Sequence, residues 1–390
     1  MLLKLPPSAA GVWVNCPASP EMIAKFPRPP SDERSEKQSE GLAFHELSEI
    51  MLMSGTVELP EFIDTMSSFG IVYDREMYEA AQLYAGDVFE TCAPQRDDKH
   101  DHPVEYHVEK RADLSHIADE MHGYVDCSAF SVGARTLTVW EAKYGHKIVD
   151  VFENWQSILY VDAITERMGI DGYHDQHTNV CIKLVQPRAY HRDGPIREWC
   201  FKLSDLRAYV NKLRDAATEA RSGSPMCRTG SHCGSCDASH ACEALQASTY
   251  SLIDHLSDTS GVPVTGADLS LEYSKLLKLE RLFKARMSGL EAQLLAEVQN
   301  GVEGHTFTGE MGYGRLSWTA DRSEVLALAE MYGVTATKES ESPLITPTQL
   351  IKKGIDATVI SEYSAKPMTG IKLVEQTAAS MRRIFTKKGS

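Results

Sequence analysis

The chain has 390 residues, 42% hydrophobic and 24% charged, and a formal net charge of −15. That length supports a substantial core and predicts two or three domains, and the composition excludes a fibrous, collagenous or wholly disordered chain. The acidic balance argues against a protein that coats nucleic acid by bulk attraction, while leaving room for one local basic groove.

From the N terminus, residues 8–26 read as a short helix and turn with a break at Cys16-Pro17, followed by a polar, proline-rich link. Ser35-Glu36-Lys37-Gln38 has capping-box form, after which Leu42, Phe44, Leu47, Ile50 and Met51 recur at helical spacing. Gly41, His45 and Glu49 share one face of that helix. Residues 61–91 read as helical and 95–103 as a charged loop. Residues 104–114, 122–131 and 136–143 alternate or carry β-branched side chains and read as strands, with Gly133 turning between the last two. A helix over 152–168, a strand over 179–186 and a helix over 203–221 follow. Beyond about residue 250 the character changes to a long amphipathic helix over 271–298, then short strand, turn and helix signals. The expected architecture is α/β, a mixed central sheet flanked by helices over residues 1–245, with a mostly helical accessory domain over 246–390.

The pattern that carries chemistry is Gly123-Tyr124-Val125-Asp126 followed by Glu141-Ala142-Lys143. A strand's period of two puts Glu141 and Lys143 on one face, and a hairpin partner can bring Asp126 beside them. Two carboxylates suit a hard divalent cation such as Mg²⁺. Such a cation lowers the pKa of its water and stabilises phosphoryl charge, with Lys143 placed to orient or deprotonate that water or to stabilise developing charge. An acid followed by Glu-x-Lys is a weak signal alone. Gln156 and Tyr160, one helical turn apart, and His45 upstream strengthen it.

A helix with Gly41-x-x-x-His45, a strand with Gly123-x-x-Asp126, a strand with Glu141-x-Lys143 and a helix with Gln156-x-x-x-Tyr160, in that order, resemble the RecB-like PD-(D/E)XK nucleases. Val125 stands where the family's nominal proline would be. The resemblance implies a restriction-endonuclease-like fold and Mg²⁺- or Mn²⁺-dependent hydrolysis of DNA, with exonuclease action preferred. By the same resemblance Asp126, Glu141 and His45 are metal ligands, Lys143 is the catalytic lysine, Gln156 and Tyr160 serve the active site, and Glu109 is an accessory acid. A catalytically silent DNA-binding module and an RNA-directed nuclease are the alternatives.

Nine cysteines, an odd number, with no apolar leader in residues 1–7 point away from a secreted disulfide framework. No apolar run reaches the roughly 18 to 20 residues of a membrane helix, so a cytoplasmic protein without membrane contact is expected. Cys92, Cys127, Cys181 and Cys200 are scattered and read as buried thiols. Cys233-x-x-Cys236-x5-Cys242 with the distant Cys16 resembles the iron-sulfur staple of AddB-type subunits and CRISPR adaptation nucleases, which implies a structural 4Fe-4S cluster. A zinc site of Cys227, Cys233, Cys236 and Cys242 is the rival, with His232 and His240 as further possible zinc ligands. His100, His102, His174 and His177 read as solvated loop residues, Trp140 and Trp155 as packing aromatics, and Lys352-Lys353 and the basic tail as solvated. The whole pattern, including Leu344-Ile345-Thr346-Pro347 and Lys366-Pro367-x-x-Gly370, also resembles a bacteriophage family without assigned function. That similarity implies a recombination or replication role, with DNA and a single-strand annealing protein as partners.

Overall fold

The computed structural model describes residues 3–30, 32–93, 104–170, 176–257, 265–302, 306–313, 316–337 and 344–375; His100, His102 and His174 lie outside them. The chain divides into two units, Met1–Ala292 and Gln293–Ser390.

In the first unit, α1 (Ala10–Trp13), α2 (Ser19–Lys25), α3 (Asp32–Ser54) and α4 (Arg75–Cys92) precede a five-stranded sheet. β1 (Tyr106–Asp113), β2 (His122–Ser131) and β3 (Thr136–Ala142) form an antiparallel meander. α5 (Trp155–Arg167) then crosses over so that β4 (Asn179–Val185) lies parallel to β3, and β5 (Ile196–Lys202) completes the sheet antiparallel to β4. Parallel neighbours cannot be joined by a tight turn, so the β3–β4 pair requires such a crossover. α6 (Leu206–Ala220) and α7 (Glu243–Ser257) follow, and α8 (Gly266–Gln299) begins in this unit and ends past Ala292. This is the mixed, helix-flanked sheet that the sequence pattern predicts.

Strand alternation gives the sheet two apolar faces. Leu137 and Val139 of β3 pack with Ile158 and Leu159 of α5, Val210 and Leu213 of α6, and Trp13. Trp140 and Ala142 pack with Phe44, Leu47 and Met51 of α3 and with Tyr84 and Val88 of α4. Trp140 is fully buried and donates its indole N–H to Asp87 Oδ2 at 2.6 Å, while Lys183 Nζ reaches both Asp87 oxygens at 3.0 Å.

Several local expectations are corrected. α3 starts at Asp32, directly after the Pro29-Pro30 link, so Ser35 lies inside the helix and not at its cap. Residues 61–73 do not form an α-helix: a 3-10 turn at Pro60–Phe62 leads into a small antiparallel bridge, Met66 to Val72, around Gly70 at φ +75°. The helix waits for Asp74, whose side chain accepts from Met77 N at 2.7 Å as an N-cap. β5 has no counterpart among the expected elements. It places Cys200 directly across from Cys181, and the two are disulfide-bonded, not free thiols.

The second unit contains β6 (Phe307–Tyr313), β7 (Ser317–Trp318), α9 (Arg322–Met331), α10 (Pro347–Lys352), α11 (Ala357–Tyr363), β8 (Ser364–Ala365) and β9 (Met368–Glu375). β6 pairs with β9 and β7 with β8, both antiparallel. Val325, Leu328, Leu350 and Ile360 form its own small core. Among the described residues no helix is long and apolar enough to cross a membrane.

α5 is also fastened to the segment between β1 and β2 by His116 Nε2 and Asp162 Oδ2, 2.6 Å apart. The hydrogen bond to Asp162 raises the His116 pKa against the opposing effect of burial. A raised folded-state value means the contribution is complete below the unfolded histidine pKa and is lost as pH rises through the folded one. His116→Gln should therefore lower stability by about 1–2 kcal/mol in mildly acidic buffer and by less in alkaline buffer. Urea denaturation of both proteins across that range checks it; a difference independent of pH would show that the pair is not charged in the fold.

Candidate active site

The β2–β3 ladder runs from Ser131–Thr136 to Cys127–Trp140 and stops there. Where it ends, the side chain of Asp126 takes over as acceptor: Oδ2 receives the Ala142 N–H at 2.7 Å. That bond fixes one carboxylate at the end of β3 and leaves Oδ1 turned toward α3, 3.8 Å from His45 Nδ1. His45 Nδ1 also lies 3.8 Å from Glu109 Oε1 of β1. His45, Glu109 and Asp126 each offer a ligand atom within 4.8 Å of the others.

Glu109 holds its place with φ at +48°, a left-handed conformation inside a strand. For a non-glycine residue that costs on the order of 1–3 kcal/mol and recurs at functional sites. The sequence pattern marks Glu109 only as an accessory acid, yet it completes the tightest ligand group; counting across the β1–β2 hairpin sets it opposite Asp126.

Glu141 is fully buried. Its Oε1 accepts from Lys143 Nζ, while Oε2 is buried without a hydrogen-bond partner. Burial pushes the Glu141 carboxyl up to about 7, with Lys143 opposing and Asp126 reinforcing. Burial alone would lower the Lys143 pKa, but Glu141 and Asp126 outweigh it and hold the amine as an ammonium. The His45 pKa is likewise raised, because Asp126 and Glu109 overcome the effect of burial.

From α5, Gln156 Nε2 donates to Tyr160 Oη at 3.3 Å. Burial, then the Glu141 charge, raises the Tyr160 pKa, so the phenol keeps its proton beside the acids. Gly123 makes room for it: a Cβ there would lie 2.8 Å from Tyr160 Cε1 and 2.9 Å from its Oη. The glycine three residues before Asp126 is thus a close-approach position. The structure brings His45, Asp126, Glu141, Lys143 and Tyr160 together, with Gln156 behind Tyr160. It adds Tyr84 of α4, whose buried hydroxyl has no hydrogen-bond partner and whose pKa is raised by burial and by Cys127, Asp126, Glu109 and Glu141. No motif marks Tyr84; its signal is only a place on the buried face of an amphipathic helix.

A second centre gathers the cysteines. Cys227 interacts with both Cys16 and Cys242, and Cys236 feels Cys16, Cys233 and Cys242. Burial and these neighbours push the Cys227 thiol up to about 12 and Cys236 to about 11. Backbone N–H groups of Arg228, Gly230 and Leu245 point at the sulfurs of Cys16, Cys233 and Cys242, each at 3.4 Å. Five sulfurs and three donors directed at them suit a thiolate-ligated cluster, which needs four thiolates and a positive core. His232 is turned to the Arg228 carbonyl at 2.8 Å.

Residues 3–379 match the family model described as Protein of unknown function (DUF2800). The chain belongs to this family. In this DUF2800 protein α8 closes the cysteine centre: Leu282 and Ala285 pack on Cys233 and Leu245, and Arg286 Nη1 donates to Ser239 O at 3.0 Å. A Cβ on Gly289 would fall 2.5 Å from Ser239 Oγ and 2.6 Å from His240 N. Gly289→Ala improves intrinsic helix propensity by about 1 kcal/mol, but the clash should dominate and destabilise the protein by about 1–3 kcal/mol. Thermal denaturation decides the sign, and a stabilised variant would mean that α8 does not lie this close to the cysteine segment.

Proposed function

We propose that this chain is a divalent-metal-dependent deoxyribonuclease of the RecB-like PD-(D/E)XK type, acting by preference as an exonuclease. The observation that carries the reading is the convergence of His45, Glu109 and Asp126 beside the buried Glu141–Lys143 pair. The buried, unpartnered Glu141 Oε2 fits a neighbouring cation, since an orphaned buried carboxylate oxygen is costly without one. Mg²⁺ or Mn²⁺ held by His45, Glu109 and Asp126, with Glu141 adjoining, would supply an activated water and neutralise phosphoryl charge.

The chain's own groups take the remaining roles. Asp126 keeps Oδ1 free for ligation because the Ala142 N–H occupies Oδ2. Lys143, held as an ammonium by Glu141 and Asp126, orients the water and stabilises charge on the phosphate instead of removing a proton. Tyr160 retains its proton and is a hydrogen-bond donor for a phosphate oxygen. A role in phage recombination or replication beside a single-strand annealing protein, in a host cytoplasm, completes the reading on the strength of the family resemblance.

Purified protein should degrade end-labelled DNA with Mg²⁺ or Mn²⁺ and stop when the metal is chelated. Lys143→Ala should reduce the rate at least about 100-fold, with the melting temperature recorded to separate loss of chemistry from loss of fold. Matched RNA tests sugar preference. A folded wild-type protein that leaves DNA and RNA intact with either metal supports a silent binding module.

The same reading includes a structural 4Fe-4S cluster on Cys16, Cys233, Cys236 and Cys242, with Cys227 the adjacent fifth sulfur. Anaerobic purification should yield brown protein containing iron and sulfide, and Cys16→Ala should lose both while Cys227→Ala retains them. Colourless protein with stoichiometric zinc that survives Cys16→Ala and is lost in Cys227→Ala would reverse the assignment.

A further inference from the structure

The connection between β4 and β5 begins beside the Glu141–Lys143 pair, because the Lys143 N–H donates to Val185 O at 2.9 Å. It is held rigidly. Gln186, 1% exposed, donates to Gly145 O at 2.8 Å and Lys147 O at 2.7 Å, and its Oε1 accepts from Arg197 Nη2 at 2.7 Å. The Arg188 guanidinium pairs with Glu40 and Glu76, each at 3.1 Å, and lies 4.5 Å over the Tyr144 ring. His146 Nδ1 lies 3.0 Å from the Arg188 carbonyl oxygen, locking the strand-end loop after β3 to this connection.

On that frame Tyr190 stands with 93% of its surface in solvent, and the Arg192 side chain, 88% exposed, lies 3.6 Å from the exposed Asp193 carboxylate. A lone exposed aromatic on a loose loop needs no explanation. An anchored connection that starts beside a candidate phosphate site and carries an exposed ring and a cation two residues apart, in a chain of net charge −15, is different. A ring carried on an anchored backbone loses less entropy, when a flat partner stacks on it, than one on a loose loop. Base-on-aromatic stacking is worth about 1–3 kcal/mol per base and tolerates any sequence, with arginine adding phosphate contact.

We propose that Tyr190 stacks on an unpaired base of the strand engaged at the Glu141–Lys143 site and that Arg192 contacts the adjoining phosphate. The hairpin would thereby favour frayed or single-stranded DNA over blunt duplex. The inference rests on the nuclease reading of that site.

The full chain is assayed on single-stranded oligonucleotides carrying 2-aminopurine and on a blunt duplex of the same sequence. Tyr190→Ala should raise KM and Kd for the single strand about tenfold and abolish the stacking quench of 2-aminopurine. Tyr190→Phe, which keeps the ring, should restore both, and blunt duplex should respond far less to either change. If the wild type cuts DNA but Tyr190→Ala matches it in KM, Kd and quench, the hairpin assignment fails and the nuclease reading stands. If the wild type neither binds nor cuts DNA, both fall together.

Discussion

A carboxylate buried as completely as Glu141 must be compensated, because several kcal/mol of hydration are lost when an ionised group leaves water. Lys143, two residues on, meets one oxygen, and the strand's alternation is what permits it. The other oxygen is buried with no hydrogen-bond partner. Burial raises the Glu141 pKa, Lys143 opposes that rise, and the carboxylate in turn raises the pKa of Lys143 and favours its ammonium form. The site is organised around this imbalance: three acids gathered where the sheet opens, with one ammonium and one imidazole to offset them.

Topology supplies the gathering. The end of the β2–β3 ladder exposes an Ala142 N–H that the Asp126 side chain satisfies, so the acid is positioned by a backbone bond. The parallel β3–β4 pair demands a crossover, and that crossover is α5, which delivers Tyr160 against Gly123 of β2. On the opposite face α3 delivers His45 while its Phe44 and Leu47 remain in the core with α4. Each candidate side chain is thus the neighbour of a residue whose burial fixes the element that carries it. The strained φ of Glu109 is affordable only because β1 is paired with β2 on both sides of it, at Val108–Cys127 and Lys110–Val125.

Much of this was legible in the residues. β1, β2, β3 and β4, the helices flanking them, and the placement of Asp126, Glu141, Lys143, His45, Gln156 and Tyr160 follow from alternation, helical spacing and one family resemblance. What was not legible depended on tertiary context. β5 reads Ile196-Arg-Glu-Trp-Cys-Phe-Lys: Trp199 and Phe201 alternate with exposed residues, but the buried position before them is Arg197, which hydrogen-bonds the Val149 carbonyl and Gln186, and a charged residue at an inward position breaks the apolar alternation. Missing β5 also hid the Cys181–Cys200 pairing, which is a matter of register alone. The helix expected over residues 61–91 begins only after Asp74, because Gly70 at positive φ and the Asp74 cap fix a turn and a later start. Glu109 was underrated because a left-handed residue inside a strand leaves no mark in a pattern of apolar positions.

A cluster bound by the cysteines would be a long-range constraint serving a site it does not touch. Cys16 and Cys242 lie on either side of every strand of the sheet in sequence, and the segment between them contains all the candidate ligands. A cluster tying those ends together would restrict the unfolded chain over a loop of more than two hundred residues, and such restriction grows with loop length only logarithmically. The larger gain is local. Lys147 Nζ donates to Ser235 Oγ at 2.8 Å, so the cysteine segment braces the loop after β3. Gln186 binds the Lys147 carbonyl from the β4–β5 side. Order at the sulfurs is therefore transmitted by two hydrogen bonds to the backbone that follows Lys143, and a loosened cysteine centre should first be felt there, at the rim of the site, before the sheet itself is disturbed.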